Sequence, residues 1–343
     1  KSPWDLRHTI PLGLHEDAGP YAKKKSCNVI TFFSLFGQGT ELETRYLVMI
    51  ELKKAAEPAD TSNDAWQNSF KELELLEAGH DADGNPLAKD ADGTIWTCCM
   101  VFGFCDLLQG VEWGLPDYNK EALCSFCLAN RSDRPFTNLQ RGAEWRPTED
   151  MTEMEFQSRL HGVHPLRHSW YMTRLFVRGD IMHIMDHHGF TGQVAASVIV
   201  HLVRTEVRLG RIQSERLAEI NRQLDSFNSD FPASSYLKDL SMPNLLLDGT
   251  FGSWAELHGP TVKVASTRHI SPFVNQLAVQ YCDSGSDFDV SVLEVAGNLC
   301  KMYDIMYTAG RFFTDRQHLE LTEACYKLGY HYQRLRVLCE ACG

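Results

Sequence analysis

The sequence predicts an α/β fold, and three observations carry that prediction. Three segments rich in β-branched and aromatic residues follow one another near the start, with no helical stretch between them. A nearly continuous apolar run, Ile95 to Cys105, reads as a strand buried on both faces. From Glu149 onward, apolar positions recur at helical spacing. The expected organisation is a core over residues 1–148, interrupted by an acidic insertion at about 53–93, and a mainly helical region over 149–343.

Thr9 to Leu14 reads as the first strand, delivering His15-Glu16-Asp17-Ala18 to a stop at Gly19-Pro20. Cys27 to Phe36 is the second strand, closed by the turn Gly37-Gln38-Gly39, and Thr44 to Leu52 is the third. Successive strands without a crossover imply an antiparallel meander, with Asp17 near the end of its first member. Ala65 to Ala78 has helical spacing, through Trp66, Phe70, Leu73 and Leu76. Asp83-Gly84-Asn85-Pro86 and Asp92-Gly93 are loops, and the apolar strand then ends against Asp106. Further on, Val194 to Val203, Glu215 to Phe227, Val292 to Thr308 and Leu319 to Cys339 read as helices.

Composition limits the functional classes. The 343 residues are 43% hydrophobic and 23% charged, which is ordinary for a globular protein with ample core. A net charge of −12 argues against generic coating of nucleic acid, yet the charge is uneven. Residues 41–92 hold 13 acids and 5 bases and read as an exposed insertion, while arginines cluster at Arg204, Arg208, Arg211 and Arg216. Charge therefore permits DNA contact without requiring it. Eleven cysteines in a long chain suggest reduced thiols, hence a nuclear or intracellular setting with no secretion and no membrane. Opening without methionine and stopping at Cys342-Gly343, the sequence reads as part of a longer chain. No phosphate-binding loop, dinucleotide fingerprint or nucleophile elbow is present.

Two acids, Asp17 and Asp106, each end a predicted strand, with a meander and a helix between them. That order is the layout of a ribonuclease-H-like core, where neighbouring parallel strands present aspartates to divalent metal. Two Mg²⁺ (or Mn²⁺) ions about 4 Å apart can clamp the attacking and leaving oxygens of a phosphoryl transfer. Hard cations take oxygen ligands, so the acids suit them.

The run Asp106-Leu107-Leu108, Gly114-Leu115-Pro116 and Cys124-Ser125-Phe126-Cys127 resembles the second-aspartate region of CACTA-type (En/Spm-like) DNA transposases. Gly179-Asp180-Ile181-Met182-His183-Ile184 is similar to their downstream Met-His segment, and His15 to Pro20 occupies the place of their first aspartate. The chain also resembles the transposase-like open reading frames abundant in dinoflagellate genomes. The likeness spans scattered motifs from Pro11 to Val203. It implies metal-dependent cleavage of DNA and strand transfer, with transposon ends and target DNA as partners; a homo-oligomer is a further partner left open by the sequence. It also implies a third acid beyond a helical insertion, for which Glu294 is the candidate by position. An inactive relic is the variant of this reading in which that acid has been lost.

Cys124 and Cys127 have the spacing of half a zinc site. If Asp180 to Gly189 is helical, His183 and His187 lie one turn apart and would complete a structural Cys₂His₂ centre. Cys339-x-x-Cys342 is a rival pair. Two other classes stay open: a non-catalytic, zinc-stabilised DNA- or protein-binding module, and an unrelated metal-dependent hydrolase using His183, Asp186, His187 and His188.

Overall fold

The computed structural model describes residues 7–22, 25–38, 45–52, 60–105, 107–117, 119–149, 151–179, 182–186, 189–231, 236–246, 255–259, 262–310 and 312–341. The fold is mixed α/β and divides into two compact units, Lys1–Asp133 with Pro147–Asp180, and Arg134–Arg146 with Ile181–Gly343.

The first unit is built on a five-stranded mixed sheet. Its strands are β1 (Thr9–Ala22), β2 (Lys25–Ser34), β3 (Arg45–Leu52), β4 (Thr97–Cys105) and β5 (Val177–Gly179). Their spatial order is β3-β2-β1-β4-β5. β1, β2 and β3 form the expected antiparallel meander, while β4 runs parallel to β1 and β5 parallel to β4. β5 draws the stretch 147–180 into this unit, beyond the boundary expected at 148.

β1 does not stop at Gly19-Pro20. It continues to Ala22, with Gly19 opposite Cys27 and Pro20 opposite Ser26 of β2. Its pairing with β4 reaches only to Glu16. Past that point β4 makes no demand on β1, and a proline without an N–H is tolerated on such an edge. Asp17 therefore lies inside β1, opposite Val29, and not at its end.

The acidic stretch is not simply an exposed insertion. Its helix α1 (Asp60–Ala78) turns Trp66, Phe70 and Leu73 into the core, a spacing of four and three residues that keeps them on one face. They join Leu14, Ile30 and Met100 of the sheet in one buried cluster. Burial of each such side chain stabilises by roughly 1.5–3 kcal/mol. Glu72 and Glu74 face outward, as do the loops that follow.

The reading of β4 as buried on both faces is also corrected. Cys99, Met100 and Cys105 are buried, Phe102 and Phe104 are half-buried, and Val101 is exposed. Val101 is an extra residue: Leu12 faces Met100, whereas Gly13 already faces Phe102. This bulge re-aims the strand. It sets Phe102 and Phe104 against Phe33 on the sheet face opposite α1, with ring centroids 5.6 and 6.1 Å from that of Phe33.

After β4 come α2 (Leu107–Glu112) and α3 (Glu153–Arg159), the latter opened by a capping box of Thr152 and Glu155. Gly114, at φ +97°, ends the turn after α2; a β-carbon there would lie 2.3 Å from the His161 carbonyl oxygen.

The second unit is helical. A π-helical turn, Met182–Asp186, precedes α4 (Phe190–Thr205), α5 (Gln213–Asp230), α6 (Met242–Leu245), α7 (Val264–His269), α8 (Ser271–Tyr281), α9 (Asp287–Thr308) and α10 (Asp315–Ala341). α4 carries more than the expected stripe. Val194, Ala195, Ala196, Val198, Ile199, Val200, Leu202 and Val203 are all buried, so it is a central helix with α5, α8 and α9 packed around it. Among the described residues, no helix is long and apolar enough to cross a membrane.

Candidate active site and cysteine pair

The three parallel strands share one register row. Glu16 of β1 pairs with Cys105 of β4, and Cys105 pairs with Gly179 of β5. β4 and β5 both end on this row, while β1 runs through it. The residue that follows each member in sequence is an aspartate: Asp17, Asp106 and Asp180. The backbone of Asp17 continues β1, whereas Asp106 and Asp180 lie outside the described residues. The sequence reading singled out the first two and passed over Asp180 as a ligand. Its only signal is a three-residue strand, Val177-Arg178-Gly179, too short to be recognised by alternation.

The row is held firmly from the α1 side. Glu16 is buried, and its carboxylate accepts a 2.6 Å hydrogen bond from the indole N–H of the fully buried Trp113. A β-carbon on Gly103, two residues before Cys105, would come within 2.8 Å of the Phe176 ring and 3.0 Å of Trp113. Only glycine lets these rings close over the strand. On the other face of β1, His15 alternates with Glu16. The guanidinium of Arg45 donates to His15 Nδ1 at 3.0 Å and lies 5.8 Å over the ring of Phe33. Arginine has no acceptor, so His15 carries its ring proton on Nε2 in this contact.

The cysteine pair belongs to the same unit. Cys127 is buried and its thiol donates to Cys124 Sγ, 3.2 Å away. The Phe126 N–H points at the same sulfur at 3.4 Å. Leu128 N–H donates to Thr148 Oγ1 at 2.8 Å, and Arg159 donates to the Cys127 carbonyl at 2.6 Å, so the loop is tied to the start and end of the α3 region. The Cys127 thiol, with backbone N–H groups and nearby Arg159, lowers the pKa of Cys124 to about 6 against the opposing effect of burial. Cys127 is pushed the other way, because its proton is held in the hydrogen bond to Cys124 and because it is buried. Zinc in tetrahedral thiolate coordination sets sulfurs about 3.8 Å apart, from Zn–S bonds of about 2.3 Å. A small opening of this pair reaches that separation.

The remaining expected residues are distributed as follows. His183 lies in the π-helical turn of the second unit, and its side chain is outside the described part; His187, His188 and Cys342 are outside it entirely. Glu294 sits on α9 of the second unit, where its carboxylate accepts a 3.0 Å hydrogen bond from Asn298 one turn later. Asp186 is fully committed to the interior. Arg268 Nε and Nη2 donate to its Oδ2 at 2.8 and 2.5 Å, the Tyr303 hydroxyl donates to Oδ1, and Thr191 Oγ1 lies 2.6 Å from that hydroxyl. Burial and the Asp186 carboxylate push the Tyr303 phenol well above its ordinary pKa. The hydrolase alternative thereby loses Asp186 as an available ligand. Among the described residues, no three His, Cys, Asp or Glu side chains converge as a metal site, and that description does not include Asp106, His187 or the side chains of Asp17 and His183. In comparisons with known proteins, no family model matches the chain and no curated protein shows significant similarity to it.

Proposed function

We propose that the chain is a transposase-like enzyme with a ribonuclease-H-like core, which cuts and joins DNA strands with divalent metal. The observation that carries this reading is the row Glu16–Cys105–Gly179, after which each of the three parallel strands continues in sequence into an aspartate. Neighbouring strands lie about 4.8 Å apart, so the row residues Glu16, Cys105 and Gly179 stand side by side in the sheet. The strand order, with β2 alone reversed and helices between β3 and β4 and between β4 and β5, supports the ribonuclease-H-like assignment.

A set of carboxylates is the donor type that Mg²⁺ or Mn²⁺ takes, and Asp17 and Asp106 are the residues that would hold the ions. Bound metal supplies Lewis-acid polarisation of the scissile phosphate and charge neutralisation of the leaving oxygen. In this reading Asp180 fills the role expected of Glu294, because it follows the row directly. Trp113 and Glu16 fix β1 from the α1 side, and Arg45, beside His15 on the other face, supplies positive charge for a phosphate backbone. Cys124 and Cys127 are the sulfur half of a structural zinc site that stiffens the loop beyond Asp106.

The test is Mg²⁺- or Mn²⁺-dependent nicking of a DNA duplex. Asp106→Asn removes a charge and keeps the shape, so it is expected to lower nicking about 100-fold or more, a loss of about 2.7 kcal/mol of transition-state stabilisation, with an unchanged melting temperature. Asp17→Asn should match it. Nicking that survives both substitutions would remove this mechanism, and a wild type that nicks no DNA with either metal would leave the non-catalytic, zinc-stabilised module.

A further inference from the structure

The helical unit contains a cavity that the DNA-cleaving reading does not use. It lies among α4, α9 and α10 and has a volume of about 780 Å³. Its inner wall is apolar, with Val194 and Val198 from α4, Val292 and Val295 from α9 and Leu335 from α10, while Ser197 and Arg336 stand at its solvent-exposed mouth. The volume lies within the roughly 300–1,000 Å³ range of small-molecule sites.

The charged groups at its rim are already matched. His201 Nε2 is 3.2 Å from Asp289 Oδ1, and Arg336 Nε donates to Glu340 Oε1 at 2.8 Å. Arg336 and Glu340 carry opposite charges within one ion pair, so the rim presents little net charge to attract an ionic ligand. An uncharged one would leave both intact and bury its surface against the valines, which is the favourable term for apolar contact.

We propose that this cavity binds one uncharged, apolar small molecule per chain. The site is independent of the aspartate row, and its test does not depend on DNA cleavage.

The experiment titrates the full chain with N-phenyl-1-naphthylamine, a neutral fluorophore that brightens in apolar surroundings. Saturable binding at one probe per chain is expected, with a dissociation constant on the order of micromolar for a ligand of this size. Two cavity-filling variants approach from different sides: Val198→Trp from the buried wall and Ser197→Trp from the exposed mouth. Each should weaken binding about tenfold or more, the scale of losing well-packed apolar contact. If Val198→Trp disturbs the circular dichroism spectrum, Ser197→Trp decides alone. Arg336→Gln should change affinity less than about twofold, since the ligand makes no ion pair, and the anionic analogue 1-anilinonaphthalene-8-sulfonate should bind more weakly than the neutral probe. Three results would overturn the proposal. They are the absence of saturable binding, affinity unchanged in the folded filling variants, and saturation at one probe per two chains with dimerisation in sedimentation, which would make the occupant a second copy.

Discussion

His164 stands edge-on to the fully buried Trp66, with ring centroids 5.0 Å apart, and its Nδ1 accepts the Leu166 N–H at 3.2 Å. Burial pushes its pKa down to about 4, from the ordinary 6.5. The unfolded chain therefore binds a proton at this site between pH 6.5 and 4 while the folded chain does not. The associated stability is complete above about pH 6.5 and is lost as pH falls through about 4. A shift of this size corresponds to about 3 kcal/mol. Urea unfolding measured at intervals across that range should show the wild type losing about this much more than His164→Asn, which retains a capping acceptor and cannot titrate. Parallel pH profiles for the two proteins would exclude His164 as the cause. The same scale shows a limit of reading ligands from spacing. The segment Met182 to His188 looks rich in metal donors, but Asp186 is occupied by Arg268 and Tyr303, which lie 82 and 117 residues away in sequence.

Elements with a clear compositional or periodic signal were legible from the residues alone. β2, β3, β4, α1 and the long helices α5, α9 and α10 fall where β-branched and aromatic runs, a continuous apolar run or a helical stripe place them. Those that were missed depend on context. β1 outruns its proline because its other neighbour has already ended, and β5 has too few residues for any pattern. α1 was legible as a helix but misjudged as part of an outer insertion, because its acids dominate the composition while three side chains do the packing. Leu73, 2% exposed between the sheet and the helix, tests that assignment. Leu73→Ala should cost about 2–5 kcal/mol in denaturant unfolding, the range for a buried leucine that leaves a cavity. A change below about 0.5 kcal/mol is the size seen at exposed surface positions and would place α1 outside the core.

At the scale of the whole molecule, the register row Glu16–Cys105–Gly179 was only partly legible. Asp17 and Asp106 were read as acids that end strands, but Asp17 lies inside β1, and the place of Gly179 in the row became visible only once β5 was in register. The cysteine loop connects distant parts of the first unit, through Leu128 to Thr148 and through the Cys127 carbonyl to Arg159. Purified protein should carry zinc, and Cys127→Ser should reduce both the zinc content and the melting temperature. Structural zinc contributes roughly 10–16 kcal/mol in small peptides. The buried cluster around Trp66 and Leu14 should keep this larger unit folded at reduced stability. Elemental analysis showing no zinc in the wild type would assign the pair to packing.

The position of β5 has a further consequence, one for synthesis. β4 is complete at Cys105, but the strand that covers its far side arrives only at Val177, more than seventy residues later. At a translation rate of about 5–20 residues per second, the growing chain waits roughly 4–15 s for it. During that interval β4 is the outer strand of a four-stranded sheet, and the backbone of Gly103, Phe104 and Cys105, which β5 later pairs, is an open edge. Bare edges recruit other strands. The vulnerable state of this protein is thus a nascent one, in which a ribosome-bound chain that stalls between residues 105 and 177 would be a target for chaperones or for aggregation.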